Sequence, residues 1–455
     1  MKAYFQRILL CTNLFSLLIF TACEEDEPVP VGLNFTNTEL GISEGSSNAE
    51  VSLTFSRPVA SAGSLSVVVS GDLVYGEDYI TTPEVVENTL NVDYQTGDES
   101  VSFTVSVGPS LNIDQDESLT FTIDDSENLF DLGSNNIITI TFSENFIAPS
   151  GTANLDAGGP EFTHQSFFDL SKIERSQVEK NSWDLGFSTG SDEFKVIINH
   201  SAKVMARRID KFDLSLVTPE DTVGFGASQN FSAFNGDATD WVDAPNLDSL
   251  AIGAISSTDS ENAVFIISRE GEDQNWKKVR VLRNGDGFSL QYADIASESF
   301  ETLEITKDEA YNYSFASFES GLVSVQPEKD SWDIMYGSFT NVINFGYFLP
   351  YSFSDFIIIN QYNTQAAEIL TDGGVAYEDF TSGNLANIEF SNSITTIGSN
   401  WRQGGGPGQA PSLLADRFYL IKDSQENIYK IKFTSMTSTD GERGHTEFLY
   451  ELVGE

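Results

Sequence analysis

Three histidines, His164, His200 and His445, supply all the imidazole in this 455-residue chain, and Met205, Met335 and Met436 are its methionines beyond Met1. Imidazole and thioether are donors for iron, and imidazole is also the commonest general base. His200 and Met205 share the stretch FKVIINHSAKVMARR, five residues apart. On a regular strand an odd separation sends side chains to opposite faces, so these two meet at one metal only across a bend. Arg207 and Arg208 follow and suit the carboxylates of a bound ligand. The other donors have plainer readings. His164 reads as a surface or edge-strand residue, Met335 as core within SWDIMY, and His445 as a solvated residue of the turn TDGERGH. No Gly-x-Ser-x-Gly elbow, His-Glu-x-x-His pair or paired-Cys motif occurs, so the chain reads as non-enzymatic.

Carboxylates dominate the charge: 69 Asp and Glu against 24 Lys and Arg give a net −45. Such a body repels phosphate backbones, which argues against nucleic acid as a partner. The N-terminus carries Lys2 and Arg7, then an apolar stretch from Leu9 to Phe20 that is too short to span a bilayer. It ends in Phe20-Thr21-Ala22-Cys23, small residues before a thiol, followed by the acidic run Glu24-Glu25-Asp26-Glu27-Pro28. The pattern resembles a bacterial lipobox and the acidic tag of surface lipoproteins of the Bacteroidetes. Residues 1–22 are therefore expected to be a signal peptide, Cys23 the lipidated residue and 23–31 a tether to the outer membrane, facing the cell exterior. Loss of the signal removes Cys11, so no intramolecular disulfide is available.

The elements that must position these groups read as strands throughout. Over 32–145, segments such as AEVSLTFS, SLSVVVS and ESVSFTVSV alternate apolar and polar residues between Gly, Pro, Asn and Asp, which predicts a β-sandwich. Beyond a linker near 148–152 the chain repeats itself. Val178-Glu-Lys-Asn-Ser-Trp-Asp184 returns as Pro327-Glu-Lys-Asp-Ser-Trp-Asp333, with Trp183 and Trp332 149 residues apart. Phe265 answers to Tyr419 and Trp276 to Tyr429. Two β domains are expected, at 153–305 and 306–455, with Asn284-Gly285 in a tight hairpin turn. The repeated Trp-Asp reads as a core anchor with a carboxylate satisfying a turn. The loop Gly404-Gly-Gly-Pro-Gly408 lacks a following Lys-Ser/Thr and is not a phosphate loop.

Residues 32–145 resemble a Calx-beta domain, through Gly41-Ile-Ser-Glu-Gly45, Tyr75-Gly-Glu-Asp-Tyr79, Tyr94-Gln-Thr-Gly-Asp98 and Asp114-Gln-Asp-Glu117 followed by SLTFTI. That resemblance implies a seven-stranded sandwich and sets Glu44, Asp78, Asp114 and Glu117 where calcium ligands occur in some members. Calcium takes six to eight oxygens. Gly108-Pro-Ser-Leu-Asn112 departs from the family, which often has a run of Asp there. The two repeats resemble the HmuY family of haem-binding surface lipoproteins. The resemblance is carried by Ser-Trp-Asp-Leu/Ile at 182–185 and 331–334, the strand pair 418–422 and 428–433, and FIIINQYNTQAAEIL at 356–370. It implies an all-β fold, display on the outer membrane and haem capture for a TonB-dependent receptor. The family's axial ligands do not transfer residue by residue. His200 and Met205 are the haem-ligand candidates here, and Leu349 stands at the matching position of the second copy. The alternative is an adhesion scaffold that binds glycan or protein and no haem, with the aromatic stretch GYFLPYSFSDFI at 346–357 as its patch.

Overall fold

The computed structural model describes residues 30–42, 48–111, 117–126, 128–143, 146–225, 236–269, 275–344, 346, 348–404, 410–438 and 441–454. The fold is all-β, and the described helices are short 3-10 turns. No helix among the described residues is long and apolar enough to cross a membrane. The first sandwich joins a five-stranded sheet, with Asn48–Phe55 and Ser100–Val107 at its middle, to a six-stranded sheet centred on Glu117–Asp124 and Gly63–Ser70. Period-two patterning builds it. In GSLSVVVS, Leu65, Val67 and Val69 turn inward onto Val51, Leu53, Phe103 and Phe121, while Val68 faces out.

The described part of the repeated region forms four larger sheets in two sandwiches, and a two-stranded ribbon of Arg402–Gln403 with Ser412–Leu413. One sandwich is continuous in sequence. Leu185–Ser188, Lys195–Ile198 and Tyr313–Ser317 build one of its sheets; Met205–Ile209, Val264–Ser268, Lys277–Asn284, Gly287–Asp294 and Glu301–Ile305 build the other. Their shared core holds Leu185, Phe187, Val279 and Leu290. We call it the inserted sandwich, because the other one is assembled around it. The outer sandwich takes Ser150–Asp156, His164–Asp169 and Glu174–Glu179 from before the insertion, then Ile334–Asn344, Phe348–Ile359, Gln365–Leu370, Arg417–Lys422, Ile428–Thr437 and Arg443–Gly454 from after it. Leu155, Phe168, Ile334, Ile357, Tyr419 and Phe448 fill its core.

The strand pairing thus groups residues differently from the expected break at 305/306. The hairpin of the first repeat, His164–Asp169 with Glu174–Glu179, pairs with Ile334–Asn344 of the second, through Phe168 against Ile334. The hairpin of the second repeat, Tyr313–Ser317 with Gly321–Val323, pairs with Leu185–Ser188 of the first, through Ala316 against Leu185. Each copy lends its opening hairpin to the other. The two hairpins pair alike, Phe168 against Ile334 and Ala316 against Leu185, so each meets the same kind of sheet edge.

The two middle sheets face one another across a layer of Phe167, Trp183, Ile197, Phe315, Trp332, Met335, Phe356 and Ile358. Strands of these sheets are therefore covered on both sides, and LGFS at 185–188 is buried at every position. Long connections cover the outermost faces as well. Leu214, Val217, Phe225 and Val242 pack on Val264 and Ile266, and Tyr377 and Phe380 pack on Phe418 and Leu420. The stack is sheet upon sheet, with a loop layer at either end.

Candidate functional site

The repeated Trp-Asp element lies at the centre of this stack. Asp184 donates its backbone N–H to Ala316 O at 2.8 Å, and its Oδ2 accepts from Phe318 N at 2.8 Å. Asp333 does the same with Phe168 O and Leu170 N, both at 2.8 Å. Asn199 Nδ2 donates to Lys180 O and Trp183 O at 2.7 and 2.8 Å; Asn360 Nδ2 donates to Lys329 O and Trp332 O at the same distances. The phrase is thus a fastener between each copy's Trp-Asp turn and the borrowed hairpin. Its chemistry is backbone satisfaction, as expected of a core anchor.

The charges around the two aspartates differ. Asp184 Oδ1 lies 2.7 Å from Arg269 Nε. Burial pushes its carboxyl up, and Arg269 opposes that. At the position equivalent to Arg269, one residue past the matching strand, the second copy has Asp423, and Ser317 answers to Asp169. Asp333 therefore sits among acids, and burial together with Asp169 holds its carboxyl well above the usual range.

His200 follows Asn199 at the seam between the two sandwiches. Its backbone carbonyl accepts from Thr340 N at 2.8 Å, and Ser201 Oγ donates to Ser338 O at 2.8 Å. The half-buried imidazole lies against Trp183 and Phe339, with ring centroids 5.9 and 4.5 Å away, and Nδ1 is 3.3 Å from Ser201 Oγ. Burial holds it down to about 4, so the ring is neutral at physiological pH. A haem iron needs such an unprotonated donor. Met205 belongs elsewhere. A turn at 199–203 separates it from His200, and it is fully buried among Leu214, Phe225 and Trp276 on the outward face of another sheet. The structure does not bring His200 and Met205 together. Arg207 Nη1 donates to Val223 O at 3.1 Å, and Arg208 lies 3.9 Å from Asp210, so neither is drawn to His200.

Two placements correct the sequence reading. Since Asn199 matches Asn360, the counterpart of His200 is Gln361, which accepts from Tyr313 Oη at 3.0 Å; Leu349 lies on the long hairpin 334–359, which breaks the uniform offset. His445 is on the strand Arg443–Gly454, half-buried, with Nδ1 3.5 Å from Asp156 Oδ1, rather than in a solvated turn. His164 begins the strand His164–Asp169 as its one residue that is not buried, with Nδ1 2.8 Å from Thr163 Oγ1, a surface placement as expected. Met335 is core as expected. In the aromatic stretch 346–357, Tyr351 is the one exposed aromatic among the described side chains, and Phe356 is buried in the central layer.

In the first sandwich, Asp78 and Glu117 line one cleft of about 710 Å³ together with Asp72. Asp78 Oδ2 accepts from Val74 N at 2.8 Å, which occupies one of its oxygens. Among the described residues no three His, Cys, Asp or Glu side chains stand close enough to hold a metal ion. Glu44, Asp114 and Cys23 lie outside the described residues.

An all-β protein of stacked sandwiches, held by a duplicated Trp-Asp fastener and carrying one neutral histidine at the seam, is the class this geometry defines. The family described as HmuY protein matches residues 161–450, and the chain belongs to that family. No curated protein matches the chain. Among solved structures, the apo-form Calx CBD1 domain is similar at 16% identity, covering 25% of this chain and 96% of its own, with a TM-score of 0.21. A provisional HmuY-like haem-binding protein from Bacteroides vulgatus is 10% identical over 67% of this chain and 93% of its own, TM-score 0.18. A provisional lipoprotein from Bacteroides fragilis is 11% identical over 68% and 91%, TM-score 0.18.

Proposed function

We propose that this chain is a non-enzymatic surface lipoprotein that captures haem or a related tetrapyrrole and passes it to a TonB-dependent receptor of the outer membrane. Family membership supports the ligand class. The observation that carries the reading within this chain is His200, held neutral by burial, at a seam between two sandwiches and against two aromatic rings. When bound, the haem would supply the redox-active iron. His200 would offer its imidazole lone pair as a donor to that iron, and Trp183 and Phe339 would fix the plane of the imidazole. The anchor is the acyl chain on Cys23, and the acidic tether sets the body away from the membrane.

Haemin titration of the chain from residue 24, followed in the Soret region, tests the proposal. A saturable, shifted band at one haem per chain is expected. A response that only grows in proportion to haemin, in both oxidation states, retires the haem reading and leaves the adhesion scaffold. Calcium is the second ligand to try, at the cleft of Asp78 and Glu117. Calorimetry with calcium chloride decides it: a saturable heat that Glu117→Gln weakens places calcium there, and the absence of any heat removes calcium from the account.

A further inference from the structure

The outer sandwich holds a buried charge cluster that neither the repeat nor His200 uses. Asp355 sits in the left-handed region at φ 51, where the register slips opposite Gly337 and Phe339. The bulge re-aims its side chain into the sandwich, where it is wholly buried. Tyr336 Oη donates to Asp355 Oδ1 at 2.9 Å. Arg443 Nη2 donates to Oδ2, and Arg402 Nε stands 3.4 Å from the same oxygen. Two guanidiniums thus share one carboxylate, leaving a surplus positive charge inside a chain of net −45.

The donors are also in surplus. The Nε of Arg443 and the indole Nε1 of Trp401 are buried and have no hydrogen-bond acceptor, while the Nε of Arg402 meets Asp355 Oδ2 only at 3.4 Å and its Nη2 donates to Ser354 O. Buried donors are almost always paired, so a free Arg443 Nε beside a loosely held Arg402 Nε points to a further acceptor between the two guanidiniums. Burial lowers the Arg402 guanidinium against the pull of Asp355, and Arg443 adds repulsion that a second anion would relieve. The Arg402 side chain is 8% exposed and that of Arg443 is 39% exposed, so the cluster opens to solvent past Arg443.

The geometry points to a binding site for a small carboxylate, whose single charge balances the surplus and whose oxygens accept from the Nε groups of Arg402 and Arg443. A guanidinium fork matches a carboxylate, and one negative charge rather than two restores neutrality. This site is separate from the seam at His200: Asp355 is buried toward the outer sandwich's own core, with Tyr336, while Phe339 and Phe356 face the central layer.

Sodium acetate is the probe, with sodium chloride at matched ionic strength as control and inorganic phosphate as a second arm. The readout is the indole N–H resonance of Trp401 in the chain from residue 24, assigned through Trp401→Phe. Acetate should move it saturably, chloride should not, and Arg443→Gln should abolish the response. Arg443→Lys keeps the charge and loses the fork, so it should bind acetate about tenfold more weakly while remaining folded. A shift proportional to acetate throughout, an equal shift with chloride, saturation by phosphate alone, or an unchanged response in Arg443→Gln would each overturn the site.

Discussion

Asp333 accepts the backbone N–H of Leu170 at 2.8 Å, joining a carboxylate of the second repeat to the opening hairpin of the first across 163 residues. Asp184 repeats the contact on Phe318 across 134 residues. The sequence copies and the folding units are therefore different sets of residues.

Excision separates the two. Residues 185–323 contain every strand of the inserted sandwich, and replacing 180–333 by a flexible Gly/Ser linker of about eight residues between 179 and 334 leaves every strand of the outer one. Both products should show cooperative urea unfolding, with stability reduced where the central layer is exposed. The sequence copies 153–305 and 306–455, made separately, should not unfold cooperatively, since each lacks the hairpin its sheet needs. Cooperative unfolding of both sequence copies would refute the exchange.

The two aspartates should respond oppositely to neutralisation. Asp184→Ala leaves Arg269 without its buried partner and should cost about 3 kcal/mol. Asp333→Asn keeps an acceptor for Leu170 N and removes a charge from among acids, so it should be neutral or stabilising at pH 7. The sign with pH follows from the raised carboxyl. Below about pH 4 the group is protonated in both states and contributes nothing. As pH rises from there, the unfolded chain ionises first and stability falls until the folded group also ionises. The advantage of Asp333→Asn in urea midpoint should therefore be larger at pH 7 than at pH 4.

Lys278 and Lys430 occupy matching strand positions, Lys278 beside Val279 and Lys430 beside Ile431, and both are buried. Lys430 Nζ donates to Tyr377 O and Phe380 O at 2.9 and 3.0 Å and lies 2.9 Å from Glu451; Lys278 Nζ donates to Val217 O and Ser297 O at 3.3 and 2.7 Å. Each pins a long connection over an outer sheet face. Lys430→Ala should cost about 3 kcal/mol and speed amide exchange across 371–404, leaving 185–323 protected.

The local turns and strand periods were legible in the chain. Asn284-Gly285 does form the hairpin, with Asn284 opposite Gly287 and Gly285 at φ 57, because that dipeptide suits a tight turn. The repeat also located the Trp-Asp anchor. The hairpin exchange was not legible, since two equivalent hairpins satisfy either sheet and no local pattern distinguishes them. The lysines in KKVRVL and YKIKF look solvent-facing by alternation, and only the folded-back connections bury them. Asp355 and its arginines come from three distant segments, joined by a bulge that leaves no period-two signature.

Because burial holds His200 to about 4, haem affinity through its imidazole should stay flat between pH 8 and pH 5 and fall only near pH 4, where an exposed histidine would already lose half its lone pairs near 6.5. A loss of affinity centred near pH 6.5 would contradict burial of the ligand.

The most direct test of the account is the Soret titration of His200→Ala beside His164→Ala and His445→Ala. The account predicts that His200→Ala binds haemin at least about tenfold more weakly and loses the shifted band, while the other two match the unaltered chain. An unchanged titration in His200→Ala, or a loss confined to His164→Ala or His445→Ala, would contradict it.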